Sequence, residues 1–67
     1  MKISINGKIQ SFDEKILTFE DLIKEINLKG QRFAIERNGE IIPKSQFNEY
    51  TLNDGDKLEI IGAVGGG

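Results

Sequence analysis

Apolar residues alternate at the start of the chain: Ile3 and Ile5, then Asn6-Gly7, then Ile9. A period of two marks a strand with one buried face, and Asn-Gly between two such runs is the strongest short-range hairpin signal. A two-residue loop would set Ile5 against Lys8 and send Ile3 and Ile9 to opposite faces. A three-residue loop with Gly7 left-handed at its end opposes Ile3 and Ile9, so this register is expected. Ser11-Phe12 closes the second strand, and Asp13-Glu14-Lys15 is a charged turn.

The period then lengthens. Phe19, Leu22, Ile23 and Ile26 fall at i, i+3, i+4 and i+7, one buried helical stripe, with Glu20, Lys24 and Glu25 on the wet side. Thr18 is placed to cap the helix, Asp21 occupies the acid position of a capping box, and Leu17 and Leu22 are spaced as a hydrophobic staple. Lys29-Gly30 is the expected stop, a cation at the negative helix end followed by a residue that tolerates a left-handed turn. Phe33 to Arg37 reads as a strand, turned at a second Asn-Gly, Asn38-Gly39, into Glu40-Ile41-Ile42 and ended by Pro43, which cannot donate to a ladder. Ser45 to Tyr50 is irregular with room for one helical turn, and Phe47 and Leu52 are core anchors. After the tight turn Asn53-Asp54-Gly55-Asp56, Lys57 to Ile61 forms the last strand, with Leu58 and Ile60 on one face and Glu59 and Ile61 on the other. One helix with one apolar stripe must cover one face of a mixed sheet.

With 67 residues the chain is one small domain, and a chain of this size buries only about 60% of the surface it exposes unfolded. It has no cysteine and no histidine. Disulfides, thiolate nucleophiles, the usual general base and the commonest transition-metal ligand are thereby excluded. The net charge of −2 is mixed along the chain, with no basic cluster for a phosphate backbone, so nucleic acid is not an expected partner. No apolar stretch has the length of a signal peptide or membrane span. A soluble, cytoplasmic monomer without membrane contact and without a bound cofactor is expected.

Four further features invite a chemical reading. Asp54 and Asp56 are a close pair of aspartates astride Gly55; metal ligation is conceivable, but carboxylates so placed more often form the turn itself. Arg37 and Lys44 have the charge to meet acids on a partner, with surface solvation the expected role. Ile61 faces away from Leu58 and Ile60, just before the chain's end, where a partner would dock; incidental exposure explains it equally well. Finally, Gly65-Gly66-Gly67 closes the chain. Glycine there adds nothing to a core and costs entropy to order. What it supplies is a slender thread with a carboxylate and no Cβ beside the carbonyl. A phosphate-cradling loop would need a following helix, and none follows. Residues 1–62 are read as the domain and 63–67 as a tail, with Ala63 and Val64 stiffening its exit or lining a partner's channel.

Over its whole length the chain resembles a ubiquitin-like β-grasp protein, an α+β fold with a mixed sheet of four to five strands packed on one helix. More narrowly it resembles the ThiS family of sulfur carriers. The resemblance lies in the element order, in Phe33-Ala34-Ile35-Glu36-Arg37-Asn38-Gly39, in Ile42-Pro43, in Asn53-Asp54-Gly55-Asp56-Lys57-Leu58-Glu59-Ile60-Ile61, and in the terminal Gly66-Gly67. It implies that the last strand lies beside the first in the sheet centre. It also implies a protein cosubstrate rather than an enzyme. An E1-like adenylating enzyme, using ATP and Mg²⁺, would activate the Gly67 carboxylate, and a persulfide from a cysteine desulfurase would displace AMP to leave a Gly67 thiocarboxylate. Thiazole synthase would then take the sulfur, with Gly65 and Gly66 giving slim access to each active site. Three rivals stay open at this point. The small subunit of molybdopterin synthase, or a carrier for another sulfur pathway, shares the fold and terminus. A ubiquitin-like modifier would spend the activated carboxylate on an isopeptide bond. A plain β-grasp interaction module would carry its glycines incidentally.

Overall fold

A computed structural model describes residues 1–62. The first hairpin pairs β1 (Lys2–Ile5) with β2 (Lys8–Ser11), and its register sets Ile5 against Lys8, Ser4 against Ile9 and Ile3 against Gln10. The expected pairing of Ile3 with Ile9 is therefore corrected: the loop has two residues, not three. Asn6 (φ 51°) and Gly7 (φ 85°) are both left-handed, as a type I′ turn demands, and that turn matches the natural twist of the strands. Asparagine bears a positive φ well enough that no extra residue is required. The consequence is that Ile3 is fully buried while Ile9, on the other face, is 75% exposed. Asn6 also carries a second function. Its Oδ1 accepts from the Ile60 amide at 2.7 Å and its Nδ2 donates to the Ile60 carbonyl at 3.2 Å.

The helix α1 (Phe19–Glu25) starts as the sequence indicates. The Thr18 hydroxyl accepts from the Asp21 amide at 3.2 Å, and the Asp21 carboxylate accepts from the Leu17 and Thr18 amides at 3.0 and 3.1 Å. Leu17 itself is 61% exposed, so the staple against the buried Leu22 does not form a covered contact. The backbone explains this: the Leu17 carbonyl accepts from the Leu52 amide, which fixes the chain's entry and leaves the side chain outside. The stop also differs from expectation. Asn27 takes φ 62°, its amide donates to the Lys24 carbonyl and the Leu28 amide reaches back to the Ile23 carbonyl, a Schellman motif that ends the helix before Lys29-Gly30. Gly30, at φ 84°, serves the following turn instead.

The amides of Leu17 and then Thr18 hold the Asp21 carboxyl below the ordinary value of 3.8. Because the folded-state value is the lower one, this stabilisation is complete above the unfolded-state value and is lost as pH falls through the folded one. The unfolding midpoint of Asp21→Asn is expected to lie below that of the parent at neutral pH, and the gap to close in acid below 3.8. A gap of constant size across that range would show that the charge of Asp21 is not what the cap uses.

The second half completes the sheet. β3 (Phe33–Arg37) turns through Asn38 (φ 50°) and Gly39 (φ 89°) into β4 (Glu40–Ile42), and Pro43 leads into a short 3₁₀ turn at Lys44–Gln46. β5 (Lys57–Gly62) enters between the two hairpins, parallel to β1 and antiparallel to β3, giving the order β2-β1-β5-β3-β4. This is a five-stranded mixed sheet with one helix on one face, a ubiquitin-like architecture with the last strand beside the first. Ile3, Ile5, Phe19, Leu22, Ile23, Ile35, Ile42, Phe47, Leu52 and Leu58 are all buried in the layer between helix and sheet.

Arg37 corrects an expectation. It points to the core side of the sheet, is 22% exposed at its side chain, and lies 3.6 Å from the Asp56 carboxylate. Its guanidinium donates to the Thr51 carbonyl at 2.7 Å and sits 5.3 Å from the Phe19 ring centroid and 5.7 Å from that of Tyr50. It is a clamp on the long connection to β5, not a solvated surface charge. Of the two aspartates Asp56 closes its own turn, accepting from the Asn53 amide, whereas Asp54 accepts from the Lys2 amide and ties the turn to the start of β1. Among the described residues no cluster of acids is arranged to hold a metal ion, and no helix is long and apolar enough to cross a membrane.

Candidate tail exit and docking face

β5 is paired on both sides only at its start. Lys57 and Leu58 lie in register with Ser4 and Ile5 of β1, whereas β3 follows β5 to its end, with Ile60 opposite Ile35, Ile61 opposite Ala34 and Gly62 opposite Phe33. On the β1 side the ladder is continued past Leu58 by the Asn6 side chain on Ile60. The described part of β5 thus ends beside Phe33, the first residue of β3. A Cβ added at Gly62 would meet nothing within 4 Å, and its backbone is not left-handed, so packing does not demand glycine at that position.

Of the residues singled out from sequence, Ile61 is where it was expected, on the face away from the helix and 51% exposed. Ala63, Val64, Gly65, Gly66 and Gly67 lie outside the described residues. The structure adds neighbours to Ile61 that sequence reasoning missed. Residues directly opposite in an antiparallel pair share a face, and alternate residues along a strand do so too. Ala34 is opposite Ile61, Glu36 is opposite both Glu59 and Ile41, and all five therefore lie on the same outer surface. Ile41 is 65% exposed. Beside them a shallow hollow of about 470 Å³ is lined by Glu36, Asn38, Gly39, Lys57 and Glu59. A hydrophobic residue on a short strand after an Asn-Gly turn hinted at Ile41. The acid pair could be found only from the β3–β5 register, which no local pattern encodes.

Lys44, the other cation considered for partner contact, is placed on the helix side. Its ammonium lies 5.1 Å from the Phe33 ring centroid and 3.4 Å from the Gln31 carbonyl, at the mouth of a cleft of about 250 Å³ floored by Ile23, Phe33 and Phe47.

Comparison with known proteins decides the family. The model of the ThiS family matches residues 3–67, through the outer-face residues and on to the final glycine. The chain belongs to the ThiS family. It is 37% identical to the sulfur carrier protein ThiS of Bacillus subtilis, over 97% of this chain and 98% of that one. It is 45% identical over its full length to a thiazole synthase of Paramagnetospirillum magneticum, of which it spans only 20%. The crystal structure of the thiamine biosynthesis protein ThiS from Geobacter metallireducens superposes with a TM-score of 0.84 at 29% identity, covering both chains completely. The ThiS assignment and the ubiquitin-like fold thus agree in sequence and in structure.

Proposed function

We propose that this ThiS-family sulfur carrier of thiamine biosynthesis works through the carboxylate of Gly67, as a protein cosubstrate and not as a catalyst. A carboxylate is a poor electrophile until one oxygen becomes part of a good leaving group. Attack of that oxygen on the α-phosphorus of ATP, in the site of an E1-like partner that holds Mg²⁺, releases pyrophosphate and forms an acyl-adenylate. A persulfide sulfur then attacks the carbonyl carbon and AMP departs. Cleavage of the sulfur–sulfur bond by a thiol leaves the thiocarboxylate on Gly67, ready for thiazole synthase. Glycine at the reacting position leaves the carbonyl open to each nucleophile.

The observation that carries this reading is the path of β5. The strand is anchored in the sheet centre through the buried Leu58 and is described as far as Gly62, beside Phe33; five residues follow in the sequence, of which the last three are glycine. Five residues span at most about 17 Å at roughly 3.4 Å each, enough to reach into an enclosed site while the domain stays on the rim. The chain also has no cysteine, so no thiol of its own competes for the activated carbonyl. Support for thiazole synthase as recipient comes from relatives of that name, which contain a region alignable with the whole chain.

The test is the mass of the C-terminal peptide after incubation with ATP, Mg²⁺, the adenylating enzyme of the same organism and a persulfide donor. An ATP-dependent gain confined to the peptide ending in Gly67, and equal to exchange of oxygen for sulfur, is the expected result. Localising it matters because oxidation of Met1 adds nearly the same mass. An unchanged peptide, with an enzyme that converts its own carrier, would sink the proposal.

A further inference from the structure

We propose that Asn6 is a positioning residue for sulfur transfer: its side-chain amide holds the end of β5, from which the reacting segment follows, in the one direction in which a partner can take it. This rests on the carrier reading above and names the group that keeps the last strand in place while Gly67 reacts.

The ladder between β1 and β5 shows what the Asn6 side chain replaces. The Ser4 amide donates to the Asp56 carbonyl at 2.9 Å and the Asn6 amide to the Leu58 carbonyl at 3.0 Å. Rungs of a parallel ladder are evenly spaced, so the next would join Ile60 to a peptide group on the β1 side. No such group is there, because β1 ends at Ile5 and Asn6, at φ 51°, turns the backbone away into β2. The side chain stands in for it. Its Oδ1 accepts from the Ile60 amide at 2.7 Å and its Nδ2 donates to the Ile60 carbonyl at 3.2 Å. A carboxamide offers the same donor and acceptor as a peptide, so β5 gains one further rung. Without it, among the described residues, the strand beyond Leu58 would be paired with β3 alone.

The turn by itself does not account for these bonds. Asn38 has the same place in the second Asn-Gly turn, at φ 50°, and its Oδ1 lies only at 3.4 Å from the Lys57 amide. A left-handed asparagine thus needs no close grip on β5, whereas Asn6 grips it with both polar atoms. Position gives that grip its consequence. Ile60 stands two residues before Gly62, where the described part of β5 ends, and residues 63–67 follow. An end of β5 released from Asn6 takes several directions, and a partner binds only the fraction of molecules that offers the right one. Apparent affinity falls by that fraction, while the chemistry at Gly67, once bound, is unchanged.

The experiment compares the parent with Asn6→Gly and Thr18→Ala. Glycine suits the left-handed turn position, so the hairpin is kept and only the amide is lost. Thr18→Ala removes the helix cap and serves as the control for lost stability alone. Thermal unfolding and exchange of the Ile60 amide hydrogen are recorded for each free protein. KM and kcat for the carrier in ATP-dependent thiocarboxylate formation are then measured in the cold, where all three are folded. Asn6→Gly is expected to speed Ile60 exchange about tenfold or more and to raise KM about threefold, with kcat close to parental. Thr18→Ala is expected to melt earlier than the parent and to keep the parental KM. A parental KM for Asn6→Gly, or an equal rise for Thr18→Ala, would overturn the positioning role and leave the carrier reading intact. Unchanged Ile60 exchange in Asn6→Gly would overturn it as well, since the side chain would then hold nothing. Failure of the parent itself to be converted would instead overturn the carrier reading, and this proposal with it.

Discussion

Deletion of Gly66 and Gly67 is expected to abolish thiocarboxylate formation while leaving the unfolding midpoint of the domain within about 1 °C of the parent. Among the described residues every buried core residue lies between Ile3 and Leu58, and the register is described as far as Gly62 opposite Phe33. Removing the last two residues takes no apolar side chain from that core, and surface changes away from caps, cores and networks are close to neutral in stability. The chemistry, by contrast, loses both its reacting carboxylate and its reach. The shortened chain still ends in a glycine carboxylate, Gly65, so the loss measures the length of thread as well as the terminal group. The check is the peptide mass before and after activation, alongside a thermal melt. A plain interaction module would behave in the opposite way, since its binding would survive the deletion. Retained sulfur transfer by the shortened chain would remove Gly67 from the mechanism.

What was legible in the sequence is local. The glycines are read directly. So is Thr18 with Asp21, because a capping box lies within four residues, and the two Asn-Gly turns, because a type I′ turn depends on its own pair of residues. The misreadings have a common cause. Ile9 was expected to oppose Ile3 on the assumption that every isoleucine in an alternating run is buried, yet turn geometry fixed the register and left Ile9 in solvent. The helix was expected to run to Lys29-Gly30 because glycine is the usual left-handed residue, but Asn27 adopts that conformation three residues earlier. Arg37 was read as a surface charge because its partners are 14 residues away at Thr51 and further still at Asp56. The pairing of Glu36 with Glu59 is the same case: long-range register creates it. The candidate site is thus half readable: its terminal glycines stand in the sequence, and the neighbours of Ile61 emerge only from the fold.

Phe19→Ala should produce the reverse phenotype of the tail deletion: a domain that still carries its complete tail but no longer holds its fold on warming. Phe19 is fully buried at the first position of α1. Its ring stacks on Phe47 at 6.1 Å between centroids, meets Tyr50 edge-on at 6.5 Å, and lies under the Arg37 guanidinium at 5.3 Å. It therefore joins the helix, the connection after β4 and the clamp that runs through Arg37 to Asp56. Truncating a buried phenylalanine to alanine costs about 3–5 kcal/mol. A domain of this length has roughly 3–10 kcal/mol in total, so the loss removes a large share of it. Since 1 kcal/mol corresponds to about 4–8 °C for a domain of 60–100 residues, the midpoint is expected to fall by at least about 12 °C. Conversion in the cold, where the variant is still mostly folded, should remain near the parental rate and then drop with the melting curve as temperature rises. A midpoint within a few degrees of the parent would show that Phe47, Tyr50 and Arg37 hold together without Phe19. Parental conversion by a chain already unfolded would show that the activating enzyme reads only the tail, and the folded domain would lose its role in presenting it.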